Sequence, residues 1–229
     1  MSEPSSPASL ISTTADPGAE AVAELLGMLA YGELLAFERM ASDARLAPDL
    51  DRRAVLSEMA AAEITNYQRL AARLAELGAE PQQVMTPYVQ PLQAYHNRTE
   101  PRDWLEALTK AYVGDSVADD FFREVAAFLA DRDRQLVLEV LHDSRYGEFA
   151  ADEIRTAIAA DPKLANRLSI WARRLMGEGL SQAQHVAAAR PTLATLIITG
   201  AGDQDGVTAL LRRLTSAHGA RMNAVGLNN

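Results

Sequence analysis

The chain of 229 residues contains no cysteine. That excludes a disulfide framework, thiolate-bound zinc, iron–sulfur clusters and a thiol nucleophile. It lacks a long apolar run as well. Leu196-Ile197-Ile198 belongs to the greasiest stretch and falls well short of the roughly 18 residues a membrane span needs. The opening Met1-Ser2-Glu3-Pro4-Ser5-Ser6-Pro7 has neither the basic nor the apolar segment of a secretory signal, so the cytoplasm is the expected location. Positive charge is short: 22 Lys and Arg stand against 31 Asp and Glu, a net charge of −9. Such a chain is not built for nonspecific nucleic-acid binding, and Arg52-Arg53, Arg173-Arg174 and Arg212-Arg213 read as solvated charges rather than as a basic surface. No glycine-rich phosphate loop stands in a strand–turn–helix context, and nothing arranges Ser, His and Asp as a triad.

What is present is an Ala- and Leu-rich helical pattern, with 48% hydrophobic and 23% charged residues, enough for a sizeable core. Residues 1–16 are rich in Ser, Pro and Thr and read as a disordered tail. A first helix is predicted from about Pro17 to Ala44, with Asp16 as its cap. A second runs from about Asp51, after Ala47-Pro48-Asp49, to a glycine stop at Gly78. Residues 79–100 carry Pro81, Pro87 and Pro91 and no clean helical stripe. A third helix spans about Pro101 to Ala130. Asp131-Arg132-Asp133 turns the chain into a fourth, which ends near Ala160. Asp161-Pro162 opens a fifth that reaches Arg190-Pro191, and a last one covers about Gly206 to Ala217. The expected organisation is a four-helix bundle over 17–160, with further helices from 161–229 packed on it. Short turns make the first and second helices, and the third and fourth, antiparallel hairpins. The linker of about 20 residues between the hairpins can run the length of a 25-residue helix, near 38 Å. One long crossover between two hairpins is the ferritin-like arrangement, so the expected fold is all-α and ferritin-like.

The apolar stripes contain acids. The first helix reads Val22, Leu26, Leu29, Glu33, Ala36, Met40. The second reads Leu56, Met59, Glu63, Asn66, Leu70, Leu74. The third reads Leu108, Tyr112, Asp115, Asp119, Phe122, and the fourth Leu136, Val140, Asp143, Gly147, with Tyr146 beside them. A buried carboxylate must be paired, protonated or metal-bound. Glu33 and Glu63 are each 15 residues from position 48, and Asp119 and Asp143 each 12 from position 131, so the acids are expected at one level of the bundle. A carboxylate from each of four helices is the skeleton of a di-iron or di-manganese site, in which two helices also carry Glu-x-x-His. Here the matching positions are Asn66 and Tyr146, and both histidines are missing. The candidate ligands are therefore Glu33, Glu63, Asn66, Asp115, Asp119 and Asp143, with Tyr146 as ligand or proton donor. An oxygen-rich set of this kind leans toward hard cations. The alternative is a metal-free layer of acids bonded to Tyr112, Tyr146, Asn66 or water. His96, His142, His185 and His218 lie off this pattern, and Trp104 and Trp171 read as packing residues. Tyr88, Tyr95 and His96 either pin the long connection or line a mouth to the core. The small-residue fifth helix suggests a homodimer face.

The segments Leu29-Ala30-Tyr31-Gly32-Glu33, Ala61-Ala62-Glu63, Lys110-Ala111-Tyr112-Val113-Gly114-Asp115, Asp120-Phe121 and Trp171-Ala172-Arg173-Arg174-Leu175 resemble actinobacterial ferritin-like proteins grouped with the MiaE-like tRNA hydroxylases. The resemblance spans residues 19–225. It implies a ferritin-like bundle with extra C-terminal helices. It also implies a di-iron centre that uses dioxygen to hydroxylate a modified tRNA adenosine or another small apolar substrate. Glu33, Glu63, Asp115 and Asp143 would be at or near the ligand positions, with Asp120 as a further candidate. The absent imidazoles open two other outcomes, manganese or no metal at all. Without metal the protein would be a non-catalytic ferritin-like scaffold that binds a partner.

Overall fold

The computed structural model describes residues 17–141 and 144–228. The expected tail, 1–16, lies outside them, as do His142 and Asp143. Every regular element among the described residues is helical. Helix α1 (Pro17–Asp43) leads through a 3-10 turn at Ala44–Leu46 into α2 (Leu50–Glu76), against which it packs. The start of α2 is fixed by chemistry in the turn. The Asp49 carboxylate accepts the Arg52 N–H at 2.9 Å, satisfying one of the four amides a helix N-terminus leaves unpaired. Its end is fixed by Gly78, where φ is +73°, a left-handed conformation that costs glycine nothing.

The crossover departs from expectation. Residues 79–100, expected as a long connection without a helical stripe, hold a helix, α3 (Pro81–Arg98), with Pro87 and Pro91 inside it. An internal proline removes a hydrogen bond and crowds the preceding turn. Packing outweighs that penalty here: α3 lies along α1 and α8, and Tyr88 is completely buried. The approach to α1 is close enough to need Gly27, where a Cβ would lie 2.7 Å from Val84 Cγ1.

The third expected helix is interrupted. It consists of α4 (Trp104–Thr109), a π-helical stretch at Lys110–Asp115, and α5 (Ser116–Ala126). Asp103 caps α4 by accepting the Glu106 N–H at 2.9 Å, and the Glu106 carboxylate reaches back to the Arg102 N–H at 3.0 Å. The fourth is interrupted too, as α6 (Asp131–Val140) and α7 (Ser144–Ala160), with Leu141 extended at its first residue past α6. Helix α8 (Lys163–Ala189) is the expected fifth. Then comes α9 (Pro191–Ala201), where no helix is expected, and α10 (Gln204–Ala224), longer than expected. The α8–α9 corner is tied to α1 by an ion pair between Arg190 and buried Glu24. Trp171 on α8 donates its indole N–H to the Glu106 carbonyl at 2.9 Å, and Trp104 donates to Glu153 at 3.2 Å; both act as packing anchors. No described helix is long and apolar enough to cross a membrane.

The core is in two parts. One holds Leu25, Leu26 and Leu29 of α1, Leu70 and Leu74 of α2, Tyr88 of α3, Phe122 and Val125 of α5, and Val137 and Val140 of α6. The other holds Met40 of α1, Leu56 and Ala60 of α2, Leu108, Ala111 and Val113 around α4, Tyr146, Ala150 and Ile154 of α7, and Leu168 of α8. In α1 the two sets flank Glu33. In α2 they flank Glu63 and Asn66, and in the α4–α5 segment they flank Asp115 and Asp119. A polar layer therefore cuts the core across its middle.

Candidate functional site

The layer is assembled from the elements just described. Glu33 is 3% exposed and Glu63 4%. The Asn66 side-chain amide donates to Glu33 Oε2 at 3.3 Å and to the Val140 carbonyl at 3.0 Å, linking α2 to α1 and to the end of α6. Asp115, at the end of the π-helical stretch, is half-buried and receives Arg39 Nη2 from α1 at 2.5 Å. Tyr146 on α7 is 7% exposed. Burial pushes its hydroxyl well above the usual phenol range, and the charges of Asp115, Asp43 and Glu63 add to the effect while Arg39 opposes it. Asp119 is half-buried one turn beyond Asp115 on α5. Asp120 is engaged elsewhere, accepting Arg221 from α10 at 2.5 Å. Asp143 lies outside the described residues. Glu33 and Asn66 are thus in contact, and Asp115, Tyr146 and Glu63 share one electrostatic neighbourhood. Among the described residues, no three His, Asp or Glu side chains form a group that could hold a metal ion.

The sequence reading missed the cations of this region. Burial by itself would lower the Arg39 guanidinium's pKa, but Asp115, Tyr146 and Asp43 raise it, so it stays charged inside the protein. Lys110, on the π-helical stretch, is 1% exposed. It donates to the Thr99 carbonyl at 2.7 Å and stands 5.4 Å above the Tyr95 ring. Burial, reinforced by Arg39, pulls its amine down to about 7. Asp43, near the end of α1, is buried, and desolvation pushes its carboxyl up against the opposing pull of Arg39 and Lys110. Desolvation also drives His96 down to about 2, with Arg39 and Lys110 in support, so that ring is neutral. The π-helical stretch makes room for this cluster. A Cβ on Gly114 would lie 2.7 Å from the Tyr95 hydroxyl, so glycine admits the crossover's aromatic side chain. Tyr88 and Tyr95 do pin α3, and Arg39, Asp43, His96 and Lys110 line a cleft of about 590 Å3 between the ends of α1 and α3 and the π-helical stretch.

A signal for Lys110 was available in the sequence, since it interrupts the apolar run Leu108 to Val113. For Arg39 the signal was weaker, because it stands beside the α1 stripe rather than on it. Four of the six arginines in the basic doublets are engaged within the chain. Arg52 pairs with Glu153, Arg213 with Glu124, and Arg173 and Arg174 donate to the carbonyls of Asn228 and Arg98.

A comparison with curated proteins finds no match. The sequence profile of the ferritin-like domain of actinomycetes matches residues 17–200, from the first turn of α1 to the penultimate residue of α9. With a helical bundle over that span and a polar layer at its centre, the chain belongs to the family of actinomycete ferritin-like domains.

Proposed function

We propose that this protein is a non-catalytic ferritin-like scaffold in which the chain's own cations neutralise the central acids, and which works by presenting its helical surface to a partner. The observation that carries this reading is the ion pair of Arg39 with Asp115 at 2.5 Å, inside the layer where the resemblance calls for iron. A guanidinium beside a carboxylate occupies its oxygen and repels a divalent cation approaching the same place. Asn66 works in the same direction. Its amide nitrogen faces Glu33 as a donor, whereas a metal ligand in that position would have to present a lone pair. Among the described residues the donor set does not fit a di-iron centre. Hydroxylation of a tRNA adenosine or another apolar substrate would need Asp115 released from Arg39.

Metal analysis of protein grown with iron and manganese supplied tests the reading. The expected content is below about a tenth of an equivalent of either metal. Two equivalents of metal with oxygen-dependent turnover would overturn it. Arg39→Met with Asn66→His sharpens the test, since removing the guanidinium and adding an imidazole should raise affinity for manganese if the cation is what keeps the acids from metal.

A further inference from the structure

Of the 22 basic residues, 20 are arginine and two are lysine, Lys110 and Lys163. An arginine does not give up its proton in a protein, whereas a buried lysine does so readily, and its neutral amine is then a nucleophile. Lys163 is exposed at the start of α8. Lys110 is buried and lines the cleft between α1 and α3. Of its three N–H donors one is taken, by the Thr99 carbonyl, and no carboxylate among the described residues lies within ion-pair distance. Asp115, Asp43 and Glu100 act on it from further off and favour its charge, while burial and Arg39 act against it with greater effect. Arg39 lines the same cleft and uses one of its five N–H donors on Asp115. Asp43 lines it as well, with a carboxyl that burial inclines to hold its proton.

We propose that this cleft binds a small α-keto acid, its carboxylate taken by the unused donors of Arg39 and its carbonyl carbon by an imine with Lys110. The nitrogen lone pair of Lys110 adds to the carbonyl carbon. The carbonyl oxygen becomes a hydroxyl, with Asp43 supplying a proton and recovering the one the nitrogen sheds. The carbinolamine then loses that hydroxyl, together with the remaining N–H proton, as water, and the C=N bond is formed. No electron enters or leaves, and hydrolysis reverses the step. This inference is separate from the metal-free reading of the central layer, because metal content and imine formation are measured independently.

The competing role for Lys110 is purely structural, a cationic cap on the C-terminal carbonyls of α3. Borohydride trapping separates the two. The full chain is incubated with pyruvate near pH 7.5 and reduced with sodium borohydride, and its peptides are mapped by mass spectrometry. The expected result is a reduced adduct on Lys110, at least about tenfold over Lys163. Lys163→Arg should leave that adduct unchanged. Arg39→Gln should abolish the preference for pyruvate over acetone, which lacks the carboxylate. Absence of an adduct on Lys110, or labelling confined to Lys163 and the amino terminus, would overturn the proposal. Equal trapping of pyruvate and acetone by the unaltered protein would overturn the role of Arg39.

Discussion

Leu26 and Leu70 in one apolar half, and Arg39 and Asp115 in the layer beneath it, are all withdrawn from water, but different forces keep them there. The leucines gain by burial in proportion to area, at about 25 cal/mol per Å2, whatever their exact neighbours. Arg39 and Asp115 each lose hydration that their ion pair replaces. The apolar halves should therefore tolerate changes of shape, whereas the layer should tolerate only changes made to both members of a pair.

Arg39→Met breaks the comparison hardest. It leaves Asp115 facing a buried site without its guanidinium and should cost about 4 kcal/mol in urea denaturation, with the Arg39→Met, Asp115→Asn double variant recovering most of it. If the double variant is no better than the single one, the two residues are not coupled. Leu70→Ala comes next, at about 3 kcal/mol, because the removed methyl groups leave a cavity; Leu70→Met should cost less than about 1.5 kcal/mol. Arg39→Lys, equally conservative on paper, should be much worse than Leu70→Met, since the fork geometry and reach of the guanidinium are lost.

The last test reads a slope. The folded-state pKa of Lys110, about 7, lies below its ordinary 10.5, so the unfolded chain holds more protons in between. Its contribution to stability is full above 10.5 and is lost as the pH falls to 7. Arg39 keeps its proton throughout this window and adds no slope of its own. Lys110→Met should flatten the stability profile between pH 7 and 10, as followed by thermal melts. An unchanged slope would mean that the amine is not held neutral.

The sequence made the bundle legible because its signals are local. Gly78 ends α2, Asp49 caps it, and the shared level of Glu33 and Glu63 follows from equal distances to one turn. What escaped was tertiary. Pro87 and Pro91 argue against a helix, and only packing against α1 and α8 reverses that. Helix α9 has an apolar pattern too short to distinguish from a break, and its corner is set by Arg190 reaching Glu24, 166 residues away. In the candidate site the acids were visible as intruders on apolar stripes. Their counterions were not, because Arg39 sits at the edge of its stripe and meets Asp115 only across 76 residues.

The π-helical stretch at Lys110–Asp115 carries a consequence for how this chain can change. Such a stretch amounts to one residue more than the surrounding α-helix needs. The wide turn absorbs that extra residue, so the side chains before and after it keep nearly the faces an uninterrupted α-helix would give them. Losing a single codon there would restore ordinary winding with the flanking helices little rotated. The change would fall on the turn's own side chains, which run from Lys110 to Asp115.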